Sequence, residues 1–221
     1  MRSEGTSGSS LLCRPGLDQA VPPVSQWRLS ALPPYLPTAD VEPLIASCDL
    51  ATPCDLRDRA ALLLLARLGL RAGDVCSLRL DDFDWGAGAV RVCGKSRQSV
   101  RLPLPQDVGD AVLAYIENGR PVVTEVRLFL RSKAPYRPFT TSSSISYIVD
   151  RALRRAGVED PPSKGASLLR HSAATTMLRA GATLEAVGAV LRHRSLDMTA
   201  HYAKVDVTML ETIAQPWPGE A

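Results

Sequence analysis

Between residues 55 and 68, apolar side chains recur at Leu56, Ala60, Leu63, Leu64 and Leu68. This three-to-four spacing predicts a helix with one buried face, and Gly69 is suited to stop it. Thr38 is a candidate N-cap for an earlier helix over about 39–46, with Asp40 and Glu42 in its first turn where the helix dipole favours anions. A short helix is expected around Asp74–Leu78. The period then changes. Ala89–Val92 and Val100–Leu104 are rich in strand-forming residues and Gly94–Ser99 links them, which predicts an antiparallel hairpin with a basic tip. Beyond Pro105 the helical pattern returns over about 106–117, 142–156, 167–180 and 183–191. A turn-like piece follows near 196–202, and a last helix at 207–214 aligns Val207, Leu210 and Ile213. Residues 1–37 keep no period and are punctuated by Gly, Ser and Pro, with Trp27 and Tyr35 as anchors able to dock on the body. The expected fold class is therefore mixed α+β, mostly helical, with one small antiparallel sheet. An irregular arm (1–37) precedes the folded body (38–215), and a short tail (216–221) follows it.

Composition narrows the function. The chain has 221 residues, 45% hydrophobic and 22% charged, which excludes a disordered or fibrous protein. No apolar run approaches the roughly 20 residues that span a bilayer, so neither a membrane protein nor a membrane partner is expected. Lys and Arg outnumber Asp and Glu by 26 to 23, a formal charge of +3 that permits a nucleic-acid partner without demanding one. Cys13, Cys48, Cys54, Cys76 and Cys93 form no C-x-x-C pair, against a disulfide framework or a zinc site. The polar start MRSEGTSGSS lacks the layout of a secretory signal, so a cytoplasmic protein is expected.

Four segments carry chemistry: GLRAGDV (69–75), GKSRQSVRLPLP (94–105), LLRHSAATTMLRAGA (168–182) and LRHRSLDMTAHYAKV (191–205). Each has a plain reading when taken alone. Arg71 is a solvated charge after a helix stop, Lys95 a soluble turn, Arg170 and His171 a polar helix face, and Tyr202 a half-buried aromatic. In this order, however, the segments closely resemble the tyrosine recombinase, or phage integrase, family over about residues 38–215. The matching spacings are 24 residues from Arg71 to Lys95, 23 from Arg170 to His193 and 9 from His193 to Tyr202.

The resemblance implies that family's catalytic-domain fold and its reaction: site-specific DNA integration or excision through a covalent 3′-phosphotyrosine. Catalytic roles then fall to Arg71, Lys95, Arg170, His193 and Tyr202, with Asp74, Ser167 and His171 in support and Arg97, Arg192 and Arg194 on DNA. Two guanidiniums suit the non-bridging oxygens of a phosphodiester gaining charge. The Tyr202 phenol is a poor nucleophile near pH 7 without help. Lys95 on its loop is the expected general acid, and His193 a hydrogen-bond donor to the phosphate. Asp74 reads as an orienting group, or as a first-turn anion. No metal or other cofactor is expected, since the covalent link stores the bond energy and no carboxylate cluster suits two-metal chemistry. The implied partners are double-stranded DNA, a homotetramer on that DNA, and a partner recombinase or accessory protein. The segment 207–214 is the candidate for packing on a neighbouring protomer, with packing on the chain's own core as an equal alternative.

Two departures stand out. Where the family has His three residues before its second arginine, this chain has Ser167, a good N-cap but no proton acceptor near neutral pH. His171 lies one helical turn further on the same face, but the family often has His there as well, so its presence is not read as a compensation. In addition, about 37 irregular residues precede the body, too few for the family's usual helical DNA clamp. These departures motivate an alternative, a catalytically weakened DNA-binding remnant or regulator of a mobile element; a type IB topoisomerase-like relaxing enzyme shares the chemistry. Finally, residues 131–170 hold eight Lys/Arg (Arg131, Lys133, Arg137, Arg151, Arg154, Arg155, Lys164, Arg170) against three acids, which reads as a phosphate-contacting face.

Overall fold

The computed structural model describes residues 33–93, 99–193 and 196–202. Lys95, Arg97, Arg194, Trp27 and the expected helix at 207–214 lie outside the described residues. Among the described residues there are eight α-helices: α1 (Thr38–Ala46), α2 (Pro53–Leu68), α3 (Ala72–Ser77), α4 (Gln106–Asn118), α5 (Ser142–Arg155), α6 (Ser167–Arg179), α7 (Leu184–Leu191) and α8 (Leu196–Ala200). Three strands, β1 (Phe83–Asp84), β2 (Ala89–Cys93) and β3 (Ser99–Pro103), form an antiparallel sheet in that order. The mostly helical α+β reading therefore stands.

Helix α2 is the centre of the body. Thr52 caps it by accepting the Asp55 amide at 3.1 Å, and Pro53 occupies a first-turn position where no amide is missed. Gly69 ends it in the left-handed region at φ 58°. The single apolar stripe expected from sequence is too narrow a description: every residue from Ala60 to Leu65 is at most 1% exposed. Helices α1, α4, α5 and α6 pack around α2, so no face is left for water. Uniform burial of AALLLLA is the solution for a helix at the middle of a bundle.

Other boundaries shift by a residue or two for identifiable reasons. Pro37, not Thr38, holds the capping position of α1, and Ala166 holds that of α6, making Ser167 its first helical residue with no capping bond. The two-residue β1 was not expected; Phe83 pairs with Val90, and Val90 pairs with Leu102 on the other side. Phe83, Val90, Val92 and Leu102 form the buried face of the sheet. Just before α1, Leu36 is 3% exposed and its amide donates to Ser172 Oγ at 2.8 Å. Tyr35 docks as anticipated, its hydroxyl bonded to Arg179 at 2.7 Å.

A second, smaller core of Ala174, Leu178, Val187, Leu191 and Tyr202 lies between α6, α7 and the chain after α8. Gly188 sets its tightness: a Cβ there would stand 2.8 Å from Thr199 Oγ1, so only glycine lets α8 approach α7 this closely.

Candidate active site

The ends of α2 and α7 meet, and two arginines tie them together. Arg170, 7% exposed on α6, donates to the carbonyl of Gly69 and, at 2.6 Å, to that of Leu191. Arg71 donates to the carbonyl of Arg192 at 3.1 Å. The last carbonyls of a helix lack partners within it and carry partial negative charge, which makes them natural seats for guanidiniums. Asp74 accepts the Arg71 amide at 3.1 Å and pairs with Arg192. It therefore serves both as first-turn acceptor of α3 and as a cross-tie to α7.

Arg192 does not face outward. Its side chain is 9% exposed, and its backbone sits in the left-handed region at φ 55°. The ion pair with Asp74 accounts for the inward course, and the sequence-based assignment of Arg192 to DNA has to be set against it. The left-handed step reverses the chain out of α7 and delivers His193, whose amide donates to Gly188 O at 2.9 Å.

His193, His171 and Tyr202 then converge. The His193 ring lies nearly parallel to that of Tyr202, with centroids 6.2 Å apart, and its Nδ1 bonds Thr199 Oγ1 at 2.8 Å. His171 Nδ1 bonds Tyr202 Oη at 2.5 Å. Tyr202 itself is 2% exposed. Two contributors escaped the sequence reading. Thr199 is one helical turn before Tyr202 in a segment read only for its histidine and tyrosine. Gly188 looked like any glycine in a helix.

Ser167 stands on the arginine side of the site. It lines a cleft of about 240 Å³ together with Arg71, Arg170, Ser142, Ser146 and Gly165. Among the described residues, no hydrogen bond joins Ser167 to Tyr202.

The electrostatics favour an anion. Arg71, Arg170 and Arg192 share the site with one carboxylate, Asp74, and burial together with the Arg71 charge lowers the Arg170 pKa to about 10. Burial and Arg170 push His171 down to about 4, with His201 adding to the effect. Burial, Arg170 and Arg71 do the same to His193, also to about 4. Both imidazoles are therefore neutral near pH 7. Burial raises the Tyr202 pKa, and the attraction of Arg170 and Arg71 offsets that only in part. The phenol keeps its proton until something takes it. A group with negative charge on several oxygens fits this surplus of fixed donors.

The basic run 131–170 divides in two. Arg151 pairs with Asp58 at 3.5 Å and Arg155 with Asp55 at 2.8 Å, both reaching across to α2, while Arg154 pairs with Asp150 at 2.5 Å on the surface of α5. Arg131, Lys133, Arg137 and Lys164 are exposed and make no ion pair among the described residues. Also among the described residues, no cluster of three or more His, Cys, Asp or Glu is placed to hold a metal ion, and no helix is long and apolar enough to cross a membrane.

The protein y4rA of Sinorhizobium fredii, whose name is "Putative integrase/recombinase y4rA", is 49% identical over 205 residues, 93% of this chain and 50% of that protein. Tyrosine recombinase XerA of Thermococcus kodakarensis is 33% identical over 181 residues, 81% of this chain and 61% of that protein. The chain thus spans about half the length of y4rA. Among solved structures, the XerH site-specific recombinase in its post-cleavage complex with palindromic difH substrate superposes with a TM-score of 0.69 at 25% identity. That match covers 82% of this chain and 52% of XerH. A model of the phage integrase family matches residues 34–209. With that match over most of its length, the chain belongs to the phage integrase family.

Proposed function

We propose that this chain cuts and rejoins double-stranded DNA as a site-specific recombinase, integrating or excising a DNA element through a covalent 3′-phosphotyrosine. The observation that carries the reading is the Tyr202 hydroxyl, buried under the charges of Arg170 and Arg71 with an imidazole bonded to it. In the reaction Tyr202 Oη attacks phosphorus and the bond from phosphorus to the 5′-oxygen breaks. Arg71 and Arg170 hold the non-bridging oxygens as charge builds on them. Lys95 protonates the departing 5′-oxygen. When the Thr199 hydroxyl donates to Nδ1 of His193, the proton of that ring sits on Nε2, ready to donate to the phosphate. Asp74 holds Arg192 and the start of α3, keeping the ends of α2 and α7 in register. Arg97 and Arg194 add phosphate contacts. The energy of the broken bond is kept in the tyrosyl ester, so neither ATP nor a metal cofactor enters.

On this reading residues 38–215 form the catalytic domain and 216–221 a tail. Recombination requires two cuts on each of two duplexes, so a homotetramer assembles on DNA in the cytoplasm, with a partner recombinase or accessory protein where the site demands one.

Covalent trapping tests the reading. Nicked suicide substrates tiled across the ends of the DNA element carrying the gene are expected to yield a protein–DNA adduct with wild type and none with Tyr202→Phe. DNA binding without any adduct would reject the recombinase reading in favour of the DNA-binding alternative raised by Ser167.

A further inference from the structure

We propose that His171, not Ser167, is the group that takes the proton from Tyr202, the base having moved one turn along the same helix. The inference rests on the recombinase reading and deepens it. Residues 167 and 171 are four apart on α6 and therefore on one face, with Cβ atoms about 5–6 Å apart. At the first position stands a hydroxyl that has no hydrogen bond to Tyr202 and no affinity for a proton near pH 7. At the second stands an imidazole whose Nδ1 is 2.5 Å from Tyr202 Oη, with ring centroids 5.6 Å apart. This is already the contact distance a general base needs.

The groups around His171 keep it in the accepting form. Arg170 approaches from its own helix, His193 from the end of α7, and His201 with Tyr202 from the chain after α8. The positive charge of Arg170 and the low polarity of the site hold the ring neutral. With the proton on Nε2, Nδ1 is the free lone pair facing the phenol. The same surroundings prevent transfer in the resting protein, because the buried phenol holds its proton tightly. A bound phosphodiester changes the balance. Its charge offsets Arg170 and stabilises an imidazolium as the bond from Oη to phosphorus forms, so the proton moves only along the reaction path.

The step balances. In cleavage the Tyr202 proton passes to His171 Nδ1, and Lys95 gives a proton to the 5′-oxygen as its bond to phosphorus breaks. In rejoining the 5′-hydroxyl returns its proton to Lys95 and attacks the phosphotyrosine, while His171 reprotonates the departing phenolate. No outside acid, base or metal is consumed.

The deciding experiment follows single-turnover adduct formation by the full chain on nicked DNA. His171→Asn is the first variant, because its amide stands where Nδ1 does and keeps a hydrogen bond without accepting a proton. His171→Gln is the second, and DNA affinity is measured for both. Adduct formation is expected to fall about 10²- to 10⁴-fold in each, with DNA affinity unchanged. A substrate whose 5′-bridging oxygen is replaced by sulfur leaves without protonation, because a thiol is far more acidic than an alcohol. That substrate is expected to rescue Lys95→Ala and not His171→Asn. Adding Ser167→His to His171→Asn is expected to restore part of the rate. Variants within about threefold of wild type, or rescue of His171→Asn by sulfur, overturn the assignment of His171 alone. Absence of any adduct from wild type removes the recombinase reading and the inference together.

Discussion

Thr199 is fully buried, and by engaging Nδ1 of His193 it leaves Nε2 as the nitrogen to meet a phosphate. Removing its hydroxyl while keeping its shape leaves Nδ1 without that partner and the ring less firmly held. Thr199→Val is therefore expected to slow adduct formation about five- to tenfold, the worth of one hydrogen bond, with DNA affinity and fold retained. Single-turnover trapping measures it, and a rate equal to wild type would show that Thr199 serves packing alone. At this scale the sequence was legible where a residue type is chemically costly to place. Arg71, Arg170, His193 and Tyr202 stand out because their chemistry and their order along the chain are unusual together. Thr199 does not, since a threonine one turn before a tyrosine is an ordinary helical residue until the fold brings α7 against it.

The helices show which signals in a sequence depend on neighbours. The existence of α2, the hairpin and the later helices follows from periodicity and from Gly69. What periodicity does not contain is what surrounds an element, and so the total burial of α2 could not be read from one stripe. Serine and threonine near a helix start are equally ambiguous, because proline and alanine serve as well when tertiary packing fixes the end, as Pro37 and Ala166 do here. Gly69 combines two requirements that the sequence reveals only by half. Its φ of 58° disfavours any side chain, and a Cβ would stand 2.5 Å from Leu191 Cδ2 in the seam between α2 and α7. Gly69→Ala is expected to cost about 2–4 kcal/mol, from left-handed strain plus overpacking. Urea unfolding monitored by circular dichroism checks this, and a loss below about 1 kcal/mol would mean that the seam is soft.

For the molecule as a whole, the two depressed histidines couple the site to stability. His171 and His193 titrate near 4 when folded and near 6.5 when unfolded, so between those values the unfolded chain binds more protons. Their contribution is complete above about pH 6.5 and is lost as pH falls toward 4. Asp55 acts in a lower window. Burial alone would raise its pKa, but Thr52 and Arg155 outweigh that and hold it below the ordinary carboxylate value, so its contribution is lost on further acidification. Urea midpoints between pH 7 and 4.5 are expected to fall for wild type and to fall less steeply for a His171→Asn, His193→Asn double variant. Equal slopes would show that both rings are protonated freely in the folded state.

Arg71 and Arg170 reach the backbone carbonyls at the ends of α2 and α7. On the proposed reading the same groups fasten the scaffold and serve the reaction. On that reading, mutation that erases the chemistry through them also loosens the fold, whereas Tyr202→Phe keeps the buried ring and removes the chemistry alone. A substitution at either arginine is therefore read twice, in the rate of adduct formation and in the urea midpoint.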